Sequence, residues 1–150
     1  MLPLSPSLLP SLAAACLYAA ATFYQGNCLR HGAKANKRLL VTLGILAVIT
    51  HAASLFTHLM TPAGLELDFF SAASLIAVAV IAVTLVACAR IPVENLLLLL
   101  YPLGALTVLL SEFAPPGTVQ VINEQPGILA HILLSILAYG MFTIAVFQAL

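Results

Sequence analysis

Five stretches of about twenty residues run through this chain almost free of charge, and no other feature narrows the fold so far. A bilayer core of about 30 Å is crossed by roughly 20 apolar residues of helix. The stretches fall at 4–24, 39–60, 68–89, 96–113 and 127–150. They lack the strict alternation of a membrane β-strand. In hydrocarbon every backbone N–H and C=O must find a partner within the protein, which leaves the α-helix. The sequence therefore predicts an all-α integral membrane protein, one domain built as a bundle of five transmembrane helices.

Composition agrees with this reading. Only 7% of the 150 residues are charged and 63% are hydrophobic, too little charge to cover a soluble domain of this size. The formal net charge is zero, so charge gives no reason to expect a nucleic-acid partner. The connectors "QGNCLRHGAKANKR", "TPAGLEL", "RIPVEN" and "APPGTVQVINEQP" are too short to hold a soluble domain.

The basic residues predict an orientation. Arg30, Lys34, Lys37 and Arg38 lie in the first connector and Arg90 in the third, so those two loops are expected on the cytoplasmic side. The N-terminus is then outside and the C-terminus inside. No basic residue precedes Arg30, so the N-terminus lacks the charged region of a signal peptide and reads as a first span. The chain stops at "FTIAVFQAL" without a basic anchor, which gives the expectation of a truncated C-terminus.

Motifs for turnover chemistry are missing. The sequence has no G-x-S-x-G, no H-E-x-x-H and no phosphate-binding glycine loop, so the expectation is a protein that is not an enzyme. Cys16, Cys28 and Cys88 share no metal-binding spacing; Cys28 is expected as a loop thiol. Glu112 and Glu124 are expected to be solvated acids near the surface.

The histidines are the candidates for function. His31 belongs to the basic loop, where a solvated residue is expected. His51, in "LAVITHAASLFTHLM", lies past the middle of the second span, with Ser54 and His58 on nearly the same face. His131 lies near the start of the fifth span, followed by Ser135 at i+4 and Tyr139 at i+8. Ionisable residues inside a membrane are rare and point to function, although a histidine can also serve as a hydrogen bond between helices. The spans add no mid-membrane carboxylate, which argues against a proton or ion path. Neutral imidazoles in an apolar surround suit the axial coordination of haem iron. They do not require it.

The segment "PGILAHILLSILAYG", with Pro126, Gly127, His131, Ser135 and Tyr139, resembles the P-G-x-L-x-H-x-x-L-S-x-x-x-Y segment of the YpjD-type inner-membrane proteins. These form a branch of the cytochrome c assembly family, with CcsA and CcmC. "THAASLF", with His51, is similar to the family's earlier intramembrane histidine, and "LDFFSAASLIA" to the opening of its next helix. The resemblance runs along the whole chain and matches the N-terminal part of the family's longer members.

It implies a haem-binding membrane protein of cytochrome c assembly in the bacterial cytoplasmic (inner) membrane. His51 and His131 would be the axial ligands; His58 has no counterpart. Partners would be membrane lipid and other assembly subunits or a missing C-terminal half. The competing expectation is a scaffold or partner subunit of an ion-transport system without cofactor, in which small residues such as Ala73 and Ala77 allow close helix packing.

Overall fold

A computed structural model describes residues 5–61, 64–115, 120–122 and 126–149. Its helices are α1 (Leu8–Arg30), α2 (Lys37–Leu59), α3 (Phe69–Cys88), α4 (Leu97–Phe113, entered through a 3₁₀ turn at Glu94–Leu96) and α5 (Pro126–Ala149). Leu8–Arg30, Lys37–Leu59, Phe69–Cys88 and Glu94–Phe113 are each long and apolar enough to cross a membrane, and α5 contains a shorter apolar run, Ala130–Thr143. Phe23, Phe56 and Phe142 stand largely exposed on the helix exteriors, a placement that suits hydrocarbon rather than water. The chain is a multi-pass helical membrane protein.

Local chemistry explains the helix ends. The first span was expected to stop at residue 24, yet α1 continues to Arg30 and takes in Gln25 and Cys28. The helix runs on through Gly26 and Asn27, both weak helix formers. The stop comes at Gly32, whose φ of +65° is the left-handed conformation that favours glycine. The N–H of Ala33 then bonds back to Cys28 O at 2.9 Å. Cys28 is therefore a helical residue and not a loop thiol. α2 starts two residues before the expected 39 because Asn36 caps it, its Oδ1 accepting from the N–H of Arg38 at 3.0 Å and of Leu39 at 3.4 Å. Asp68 caps α3 in the same way, accepting from Ser71 N–H at 2.7 Å, so this carboxylate marks the edge of the span.

One feature was not expected from the sequence. Strands β1 (Met60–Thr61), β2 (Gly64–Leu67) and β3 (Gln120–Ile122) form a small antiparallel sheet in the order β1-β2-β3. Leu65 pairs with Met60 on one side and with Ile122 on the other, which ties the second connector to the fourth. At the opposite end, Lys37 Nζ lies 3.6 Å from Glu94 Oε1, joining the two basic connectors.

Within the bundle α1 packs against α2 and α4, and α3 against α4, α2 and α5. Buried residues follow helical spacing: Ser11, Ala14, Tyr18, Ala21 and Gln25 on α1, and Leu40, Gly44, Ala47, His51 and Ser54 on α2. Glycines set the closest approaches. A Cβ at Gly44 would run into the Tyr101 hydroxyl, and one at Gly104 would come within 2.6 Å of Ile81 Cδ1. The core is thus α1–α4, with α5 laid against α3.

Candidate functional site

His51 is fully buried in the middle of this core, and both of its ring nitrogens are engaged. Nε2 lies 2.7 Å from Ser74 Oγ on α3, and Nδ1 lies 3.3 Å from the Tyr18 hydroxyl on α1. The Tyr18 ring also meets the imidazole edge-on, with centroids 5.9 Å apart. One side chain of α2 therefore bonds to α1 and α3 at once. In hydrocarbon that arrangement answers the desolvation cost of the imidazole without a metal.

The network extends in two directions. Ser111 of α4 reaches Ser74 Oγ at 3.5 Å and its own helix at Val108 O. Tyr18 packs on Tyr101 with centroids 5.6 Å apart, and the Tyr101 hydroxyl donates to Leu40 O at 2.9 Å.

A second cluster surrounds Glu112. Its Oε1 accepts from Ser5 Oγ at 2.5 Å and Ser7 Oγ at 3.2 Å, and its Oε2 from Ser11 Oγ at 2.9 Å. Ser11 Oγ in turn lies 2.5 Å from Ser54 Oγ. The expectation of a solvated acid fails here: Glu112 is half-buried and pins the start of α1 to the end of α4. Charge-assisted bonds of this kind are the stronger class. Glu124 lies outside the described residues.

His131 stands in different surroundings. It is exposed on α5, with Ser135 half-buried and Tyr139 65% exposed. Among the described residues it has no hydrogen-bond partner. α5 makes its principal contact with α3, where Gly140 is buried close to Val80. His58 is exposed at the end of α2, beside the buried line of Ser54, Leu55 and Leu59, and within electrostatic reach of Glu112. His31 is exposed, as expected for a loop residue.

The structure does not bring His51 and His131 together. One ring is sealed in α1–α4 with both nitrogens in use; the other is presented on the outside of α5. Among the described residues no group of three or more His, Cys, Asp or Glu could hold a metal ion. A haem gripped between these two histidines does not fit this arrangement. A haem held by His131 at the protein's surface does fit the donor chemistry, because an exposed imidazole keeps a lone pair free.

The partners of His51 escaped the sequence reading, although α1 carried a signal. Ser11, Tyr18 and Gln25 recur every seven residues on one face of an otherwise apolar helix. All three are buried. Ser74 and Ser111 had no such periodicity to distinguish them.

The family model described as "Cytochrome C assembly protein" matches residues 39–150. The chain belongs to the cytochrome c assembly protein family. The match takes in α2 to α5 and so includes both His51 and His131. No curated protein and no solved structure matched the chain. Family membership gives this assembly protein a role in cytochrome c maturation.

Proposed function

We propose that this protein handles haem during cytochrome c maturation in a bacterial inner membrane, presenting His131 as the axial ligand that this chain contributes. The observation that carries the reading is an exposed imidazole with no described hydrogen-bond partner on an apolar helix of a cytochrome c assembly protein. Such a group is costly in hydrocarbon and is kept where it meets a ligand or a partner. Bound haem would supply an iron for His131 to hold, with any further donor coming from a second copy or another assembly subunit. This chain's part is to offer that ring on a helix that α3 holds in place. His51 positions α2 between α1 and α3. The protein acts as a carrier or holder, without turnover chemistry of its own.

The test is the absorption spectrum of protein purified in detergent from haem-supplied cells. A Soret band that persists in His51→Ala but disappears in His131→Ala supports the reading. Folded wild-type protein without a Soret band overturns it.

A second reading has an observation in its favour. His51 is satisfied entirely by protein groups, as expected of a scaffold that binds other assembly subunits without cofactor. Under that reading both histidine variants co-purify with the same partners as wild type.

A further inference from the structure

An open groove of about 830 Å³ runs between the start of α2 and the end of α3. Val41 and the buried Leu85 and Cys88 give it an apolar lining, and the exposed Lys37, Arg38 and Thr42 stand along it. These exposed side chains make the groove reachable from outside the bundle. Arg38 has no carboxylate within ion-pair distance among the described residues, whereas Lys37 is shared with Glu94 at 3.6 Å. No acidic side chain lines the groove among the described residues.

Charge at this end of the bundle is one-sided. All five Lys and Arg residues of the chain, Arg30, Lys34, Lys37, Arg38 and Arg90, lie here, and of the described acids only Glu94 does. Lys37 and Arg38 also occupy the first turn of α2, the positive end of its dipole, with no acidic residue in that turn. An anion at Arg38 would offset both effects. The apolar lining asks for hydrocarbon in the same ligand, and the groove lies where two spans end, at the depth of lipid headgroups. We propose that this groove binds one phospholipid of net negative charge, its phosphate on the Arg38 guanidinium and an acyl chain along Val41 and Leu85. The planar fork of Arg38 suits two phosphate oxygens at once. A choline headgroup would bring its own cation to a groove that has no acid to meet it.

Native mass spectrometry of the full chain, delipidated in a neutral detergent, tests this. Dioleoyl-phosphatidylglycerol and dioleoyl-phosphatidylcholine are titrated separately. The glycerol lipid is expected to form a one-to-one adduct at least about fivefold tighter than the choline lipid, the scale of one basic side chain acting on an anionic lipid. Arg38→Gln should erase that preference. Arg38→Lys, which keeps the charge and loses the fork, should bind the glycerol lipid more weakly than wild type and more tightly than Arg38→Gln. Arg30→Gln removes a cation from the same end of the bundle that does not line the groove, and should leave the preference within about twofold of wild type. Equal binding of the two lipids overturns the proposal, as does a preference that survives Arg38→Gln. Equal losses in Arg30→Gln and Arg38→Gln overturn it too, because they mark a diffuse attraction and not a groove. Soluble glycerol 3-phosphate binding as tightly as the glycerol lipid overturns the lipid assignment.

Discussion

α2, with His51 and His58, and α5, with His131, are both strings rich in Leu, Ile and Ala, yet they occupy opposite environments. α2 is flanked by α1 and α3, and its His51 is sealed from the exterior. α5 leans on α3, burying Gly140 while Leu134, Tyr139 and Phe142 remain 66%, 65% and 73% exposed. Hydropathy is nearly blind to this difference, since both helices are suited to lipid. The neighbours decide it. α1 and α3 offer Tyr18 and Ser74 where α2 places His51, whereas the described residues offer nothing to His131. A membrane histidine is thus a structural bond or an available ligand according to what the adjacent helices carry.

The contrast can be broken first at His51. His51→Ala removes two interhelical hydrogen bonds and leaves a cavity among α1, α2 and α3, so it should destabilise the detergent-solubilised protein by about 2–4 kcal/mol. Unfolding measured by denaturant titration checks this; a loss below about 0.5 kcal/mol, the range of neutral surface changes, would remove His51 from the core of the account.

Gly44→Ala comes next. Its Cβ would displace the Tyr101 hydroxyl from Leu40 O, at a cost of about 1–3 kcal/mol in the same titration. Unchanged stability would mean that α2 and α4 are not in such close approach. Ser11→Ala breaks the link between Glu112 and Ser54 and should cost about 1 kcal/mol. The smallest effect is expected at His131, where alanine should change stability by less than about 0.5 kcal/mol. A large loss there would show that α5 buries this ring against something.

Much of the fold was legible from apolar run lengths alone: five helices appeared where five were expected. Their ends were harder to place. α1 outran its hydrophobic stretch, running on through Gly26 and Asn27 in spite of their weak helix propensity, and stops only at Gly32. The small sheet gave no clear pattern, being assembled from strands of two to four residues in separate connectors. The site was half legible. His51 and His131 stood out as polar residues in hydrocarbon, but that one is sealed in the core and the other exposed needed the helix arrangement. Glu112 looked like a loop acid because its three serine partners lie about a hundred residues away in sequence.

The division of labour between the two histidines can be measured most directly by their reactivity toward diethyl pyrocarbonate, read by mass spectrometry on the folded protein with and without added haemin. His31 and His58, both exposed, serve as internal references. Without haemin, His131 should react as they do, while His51 should react at least about tenfold more slowly, corresponding to about 1.4 kcal/mol or more of local opening. With haemin, His131 alone should become protected. His51 reacting in step with His131 in the folded protein, or haemin protecting His51 and leaving His131 reactive, would contradict the account.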